Sequence, residues 1–211
     1  MQAPGPWRDE FIRTLDHIRA AFNKVAALAG PRAANPLRWT DVHKLSEGLY
    51  LSAWTHWEQF LRELMVIDVA MDRNGALQDA KAFRTKGGPE RLARLLLDHP
   101  DEKRWIEWSN QADAIARANQ FLAPGHRYGV LTAHQNDFET MRRIRNAVAH
   151  RSDRAWESFV SLARAAPFGL APNQMRGITP GRFLSAHRWG PDLVIVAAIA
   201  KLEAVARALV P

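Results

Sequence analysis

Hydrophobic residues recur every three or four positions over most of this chain, which is the spacing of amphipathic α-helices. The first helix is predicted from Trp7 to Ala29 and is stopped by Gly30-Pro31. A second is predicted from about Asp41 to Met71, with Thr40 as its N-cap. Because this second segment is apolar around most of its circumference, we expect it to lie at the centre of the fold.

Shorter helical segments follow, separated by glycine and proline, and are predicted at 76–83, 89–97, 102–108, 111–122, 134–150 and from about 152 to 165. Residues 167–190 are rich in proline and glycine and are predicted to form a loop with a short turn at Thr179-Pro180-Gly181. A last helix is predicted from Pro191 to Leu209, because alanine and leucine continue the apolar pattern of Leu193–Val196. The sequence therefore predicts one all-α domain over residues 1–211, with its core at about 41–165 and no significant sheet.

Composition narrows the classes of function. The chain has 211 residues, of which 47% are hydrophobic, and this is enough for one domain with a substantial core. Eight tryptophans argue against disorder, and the pair Trp54 and Trp57 is expected in the core. The net charge of +7 favours an anionic partner, nucleic acid ahead of a membrane surface.

Several site types are not expected. The chain has no cysteine, which excludes disulfides, iron–sulfur clusters, cysteine zinc sites and thiol nucleophiles. The histidines lack zinc-ligand spacing, so we expect neither a metal nor a cofactor. The longest apolar run, Leu193–Ala200, is far shorter than a membrane span, and the first ten residues do not resemble a signal peptide. The expectation is a cytoplasmic, soluble protein.

The candidate chemistry lies between Arg145 and His150, in the helix predicted at 134–150. Arginine binds phosphate with a planar fork of donors, and histidine exchanges a proton near neutral pH. Arg142, Asn146 and His150 share one polar helix face, and Arg145 lies where that face meets the apolar one. Local unwinding at the end of the helix would bring His150 nearer to Arg145.

Glu58 is an unusual residue in the second helix. It lies on the apolar strip that contains Trp54 and Leu61, where an unpartnered carboxylate would be costly. Arg145 or His150 would be suitable partners from another helix. Thr55 and Arg62 are local alternatives on the same helix.

These features resemble the HEPN superfamily, whose motif is R-x(4–6)-H, often with a polar residue directly after the arginine. Arg145-Asn146-x-x-x-His150 matches this motif at its shortest spacing. The segment Leu51–Leu61 is similar to the preceding long helix of RiboL-PSP-type HEPN proteins, which often carries an aromatic, an acidic residue and a phenylalanine. The likeness covers about residues 41–165.

The resemblance implies a HEPN-like helical bundle that forms a homodimer, with two motifs facing each other across a cleft. It also implies a metal-independent endoribonuclease that leaves 2′,3′-cyclic phosphate and 5′-hydroxyl ends on RNA. His150 would be the general acid or base and Arg145 would stabilise charge on the phosphorane, while Asn146 would orient one of these groups and Glu58 would support them. The neighbouring arginines would bind RNA: Arg142, Arg143, Arg151 and Arg154.

Many such proteins are toxins or phage-defence effectors with a cognate antitoxin or defence partner. Two alternatives remain open at this point. One is a non-catalytic HEPN module that binds RNA or a protein, and the other is a helical structural or regulatory protein with a chance motif. A helix C-terminus also favours cations, which would explain Arg145 and His150 without any catalytic role.

Overall fold

The computed structural model describes residues 3–30, 35–71, 88–98, 108, 110–150 and 152–211. These residues are predominantly helical, and the one sheet in them has two short strands, so the all-α prediction is confirmed. The predicted helix at 76–83 lies outside the described residues. So does the one at 102–108, apart from Trp108, which lies in a turn.

Two long helices form the first layer. Helix α1 spans Pro4–Ala27 and helix α2 spans Trp39–Ala70, close to their predicted limits. The predicted N-cap of α2 is wrong, because Thr40 lies inside the first turn and Arg38 is the N-cap. Asp41 explains the shift, since its carboxylate accepts a hydrogen bond of 2.8 Å from the backbone N–H of Arg38.

Helix α2 lies at the centre of the fold, as predicted, and contacts α1, α3, α6, α9 and α10. Its Trp57 is fully buried and packs against Phe11 of α1 and Phe138 of α6, with ring centroids 6.0 and 4.9 Å apart. Trp54 is buried as well, whereas Trp39 and Trp156 remain nearly half exposed. The described helices share one hydrophobic core.

The middle helices follow the predicted order. Helix α3 spans Gly88–Asp98 and α4 spans Gln111–Phe121. A single 3-10 turn, Arg127–Gly129, leads into the short helix α5, Val130–Ala133, neither of which the pattern predicted. Helix α6 spans Gln135–Ala149, and α7 spans Asp153–Arg164 after the N-cap Ser152.

The predicted loop at 167–190 is wrong from residue 172 onward. It contains helices α8, Pro172–Met175, and α9, Pro180–Ala186. Strand β1, Arg188–Trp189, then pairs with β2, Asp192–Leu193, so the last helix, α10, spans Val194–Leu209 and does not begin at Pro191.

Capping and tertiary packing explain why α9 forms from a segment that begins with Pro-Gly. Thr179 caps it by accepting a hydrogen bond of 3.1 Å from Arg182 N–H, and Pro180 occupies its first turn. Gly181 permits a close approach to α2, because a Cβ there would lie 2.2 Å from the carbonyl oxygen of His43. Phe183 and Leu184 are then fully buried.

Candidate active site at the end of helix α6

The candidate site begins where α6 ends. The buried face of this helix carries Phe138, Met141 and Ile144, which hold it against the core. His150 is the C-cap residue, with extended backbone angles (φ −117°, ψ 120°), and its N–H still donates to the carbonyl of Asn146 at 2.8 Å. The backbone therefore leaves the helix at His150, and its side chain is no longer held to the helical direction.

The guanidinium of Arg145 joins the motif residues. Its Nη1 donates to Asn146 Oδ1 at 3.1 Å and lies 3.2 Å from Nε2 of His150. Because a guanidinium can only donate, Nε2 accepts this hydrogen bond in the tautomer that carries its proton on Nδ1. A fixed cation and a proton acceptor thus lie one hydrogen bond apart within a single chain.

Glu58 approaches the same guanidinium from α2. Its Oε1 lies 4.0 Å from Nη2 of Arg145, at the outer limit of an ion pair. The same oxygen accepts a shorter hydrogen bond, 2.7 Å, from the indole Nε1 of Trp54. The side chains of Glu58 and Arg145 are each about one quarter exposed, 26% and 25%, so water reaches the pair.

Two aromatic residues of α2 that were not predicted as site residues position the site: Tyr50 links α2 to α6, and Trp54 holds Glu58. Tyr50 donates to the carbonyl of Met141 at 2.7 Å, and burial raises the pKa of its hydroxyl well above 10.0. Trp54 lies one turn further along and holds Glu58. The four-residue spacing of Tyr50, Trp54 and Glu58 is the sequence signal that points to this strip.

A basic pocket of about 280 Å³ lies between α6 and α7 and is called the α6–α7 pocket below. Two of the motif residues, Asn146 and His150, form part of its wall. The full lining is Arg142, Arg143, Asn146, His150, Ser152, Arg154, Ala155 and Ser158. No acidic residue is part of this lining. The pocket is therefore suited to an anion.

The three arginines that line the pocket are held differently. Arg142 donates from Nε and Nη2 to the carboxylate of Glu139, at 2.9 and 3.0 Å. Arg143 donates from Nε to Ser158 Oγ at 3.0 Å and from Nη2 to the Ser158 carbonyl. Arg154 is exposed and forms no ion pair with any residue that the structure describes.

Most of the predicted site residues therefore come together at one end of α6. The chain brings Arg145, Asn146, His150 and Glu58 to one point, with Arg142, Arg143 and Arg154 beside it. The remaining predicted residue, Arg151, lies outside the described residues. Ser158 was not predicted, since nothing in its own sequence context distinguishes it from any serine on an exposed helix.

Two further features concern the described residues as a whole. No group of three or more histidine and carboxylate side chains in them is placed to hold a metal ion. No helix in this part of the chain combines the length and the apolar character that crossing a membrane requires.

No family model, curated protein or solved structure matches this chain.

Proposed function

We propose that this protein is a HEPN-type endoribonuclease that cuts RNA without a metal ion. The observation that carries the proposal is the 3.2 Å approach between Arg145 Nη1 and His150 Nε2. Metal-free cleavage of a phosphodiester next to a ribose needs a proton acceptor for the 2′-hydroxyl and a cation for the growing negative charge. This pair supplies both groups, beside a pocket suited to an anion.

The proposed reaction begins when the RNA phosphate draws the Arg145 fork towards its oxygens, which releases His150 Nε2. Nε2 takes the proton of the 2′-hydroxyl, and O2′ attacks phosphorus. The bond from phosphorus to O5′ breaks, and O5′ leaves as a hydroxyl after it receives a proton from the imidazolium of His150 in a second copy of the chain. The products are a 2′,3′-cyclic phosphate and a 5′-hydroxyl, and no water is consumed in this step.

Neighbouring groups would orient Arg145 for this task. Asn146 accepts from Nη1, and Glu58 faces Nη2 at 4.0 Å without closing a tight ion pair. The guanidinium is therefore oriented while its charge remains available to a phosphate. Because the attack requires a 2′-hydroxyl, RNA and not DNA is the proposed substrate.

The proposal includes a homodimer in which a second copy supplies the acid for the leaving oxygen. Mixing wild type with increasing amounts of His150→Ala protein tests this feature. If the base and the acid come from two copies, a heterodimer holds only one imidazole, and the mixture loses more activity than the dilution of wild type accounts for. Activity in proportion to the share of wild-type chains, in a mixture shown by mass spectrometry to contain heterodimers, would restrict the chemistry to one chain.

A second candidate function is RNA binding without cleavage, and the α6–α7 pocket favours it. Its three arginines can contact phosphate whether or not His150 moves a proton. Binding of this kind depends strongly on salt and is weakened by Arg145→Ala without any fragments appearing.

The decisive experiment incubates wild type and His150→Ala with a mixed RNA pool in excess chelator, and then identifies the ends of the fragments. We expect wild type to cut in chelator and the variant to lose about 100- to 10,000-fold in rate, the usual contribution of a general acid or base. His17→Ala is the matched control, because His17 is exposed on α1 and has no hydrogen-bond partner among the described residues.

Two results would contradict the proposal. One is cleavage that disappears in chelator, and the other is cleavage that survives unchanged in His150→Ala. Binding with no cleavage under any condition selects the second candidate function instead.

We further propose that the cleavage arrests growth, as a toxin or phage-defence effector held in check by a partner protein. Expression of wild type in a bacterial host is then expected to reduce colony formation, and His150→Ala to restore it. Equal toxicity of the two proteins at equal expression would remove this part of the proposal.

A further inference from the structure

The charge of the α6–α7 pocket is only partly neutralised within the fold. Glu139 offsets Arg142, whereas Arg143 donates only to the neutral groups of Ser158. Nη1 of Arg143 has no hydrogen-bond partner in the described part of the chain, and Arg154 adds a further exposed cation. The pocket therefore retains donors and positive charge that are directed at no acidic residue of the described fold.

The pocket is also continuous with the Arg145–His150 pair. Asn146 lines it and accepts from Arg145, so the pocket begins one hydrogen bond from that guanidinium. Along α6, Arg142 precedes Asn146 by one helical turn, a rise of about 6 Å. Consecutive phosphates of an extended nucleic-acid strand are separated by a similar distance.

The size of the pocket limits what can occupy it. Its volume of about 280 Å³ lies at the lower end of the roughly 300–1,000 Å³ of pockets that enclose drug-sized ligands. Arginine forks, serine hydroxyls and His150 line it, and no phenylalanine, tyrosine or tryptophan is part of this lining. A phosphate group fits these features better than a nucleobase.

We propose that the α6–α7 pocket binds the phosphate next to the scissile one, so that the enzyme contacts two consecutive phosphates of the RNA strand. This inference rests on the proposed function, because it takes the Arg145–His150 pair as the point of cleavage. It adds a substrate requirement, since an internal linkage with a neighbouring phosphate becomes a better substrate than an isolated linkage.

The cleavage test compares a dinucleoside monophosphate with the same compound carrying an extra phosphate at its 5′ or its 3′ end. For each protein variant, kcat/KM is measured for both compounds, and the value with the extra phosphate is divided by the value without it. For wild type we expect the extra phosphate at one end to raise kcat/KM about tenfold, a typical value for one exposed charge-assisted contact. In Arg154→Gln this ratio is expected to fall to near one.

Arg164→Gln is the matched control, because it removes the same charge from the same helix, about 15 Å along the axis from Arg154. It is expected to keep the wild-type ratio. A wild-type ratio near one at both ends, or an equal loss in Arg154→Gln and Arg164→Gln, would overturn the pocket assignment.

Binding separates this inference from the nuclease proposal. The probe is the same pair of compounds with 2′-deoxyribose, which cannot be cut, and binding is followed by fluorescence anisotropy at several salt concentrations. We expect the extra phosphate to tighten binding about tenfold, and Arg154→Gln to abolish the gain and to lower the salt slope by about 0.7. Absence of this dependence overturns the pocket assignment even where RNA is cut, and its presence supports the assignment even where RNA is not cut.

Discussion

Two carboxylates on helix α2, five residues apart, face arginines from other helices in different ways. Glu63 receives Arg94 of α3 with both oxygens, at 2.7 and 2.6 Å, and its side chain is only 10% exposed. Glu58 approaches Arg145 of α6 no closer than 4.0 Å and is 26% exposed. The hydrogen bonds that Arg94 donates to Glu63 raise the pKa of Arg94 above its ordinary value, and further contacts with Glu90 add to this effect.

The contrast distinguishes a structural ion pair from a site that can bind a ligand. In the tight pair both arms of the guanidinium are used inside the fold, so little remains for an outside anion. In the loose pair, the described partners of Arg145 Nη1 are Asn146 Oδ1 and His150 Nε2, neither of which is a carboxylate, and Nη2 has a carboxylate at 4.0 Å. We infer that the loose arrangement leaves Arg145 available for a phosphate.

The largest effect that tests this contrast is on catalysis. Lysine keeps the positive charge but lacks the planar fork, so Arg145→Lys is expected to lower the cleavage rate about 100-fold with little change in stability. Arg94→Lys is the matched substitution, and it is expected to lower stability while the rate per folded molecule stays within about twofold of wild type. Initial cleavage rates and thermal melting of both variants measure these effects.

The opposite results would contradict the distinction between the tight Glu63–Arg94 pair and the loose Glu58–Arg145 pair. If Arg94→Lys slowed cleavage in folded protein, or if Arg145→Lys cut RNA at the wild-type rate, the tight and loose pairs would not differ in function.

The next effect is on stability. Glu63→Ala leaves Arg94 without its main partner and is expected to cost about 2 kcal/mol, less than for a fully buried pair because Arg94 is one third exposed. Glu58→Ala is expected to cost about 1 kcal/mol, since its ion pair with Arg145 is long and hydrated and the main loss is the hydrogen bond from Trp54 Nε1. Urea unfolding of the two variants gives both free energies. Equal costs would show that the two pairs are energetically alike.

The smallest effect is a pH dependence that extends the contrast to a third pair. Glu203 of α10 accepts from Arg19 of α1 at 2.8 Å, and this bond, followed by the one from Arg207, lowers the pKa of Glu203 below its usual 4.5. The unfolded chain therefore binds this proton more readily than the folded one. The stabilisation is fully present above about pH 4.5 and is lost as the pH falls through the lowered pKa.

Unfolding free energies of wild type and Glu203→Gln between pH 3 and pH 7 test this dependence. We expect the unfolding free energy of wild type to exceed that of Glu203→Gln by about 0.5–1 kcal/mol at pH 7. This difference is expected to disappear as the pH falls. Glu157→Gln is the control, because Glu157 is exposed on α7 and forms no ion pair with a residue that the structure describes. A difference in unfolding free energy that does not change with pH would contradict the claim that the lowered pKa of Glu203 causes the pH dependence.

The sequence predicted the parts of the fold that depend on local periodicity. Helices α1, α2, α6 and α7 carry long apolar stripes, and their limits were predicted to within about three residues. Helix α9 was missed, because Thr179-Pro180-Gly181 is typical of a turn as well as of the N-cap and first turn that it forms, and the contact of Gly181 with α2 favours the helix. That contact is tertiary and leaves no periodic signal in a seven-residue segment.

The candidate site was predictable to a similar degree. The spacing of Arg145 and His150 and the position of Glu58 on an apolar strip placed these groups near one another before the fold was known. Their distances were not predictable, because the 3.2 Å contact depends on the extended backbone at His150. Trp54 was expected in the core and is buried there, but its hydrogen bond to Glu58 depends on a rotamer that spacing does not specify.

The most direct test of the central claim uses a pool of 2′-deoxy strands of random sequence, each with a single ribonucleotide, incubated with wild type in excess chelator. The account predicts one cut per strand, on the 3′ side of the ribonucleotide, with a 2′,3′-cyclic phosphate end, no cut in all-deoxy strands, and loss of the cut in His150→Ala. Cleavage of the all-deoxy strand, or the same products from His150→Ala, would contradict the claim that Arg145 and His150 form a ribonuclease site.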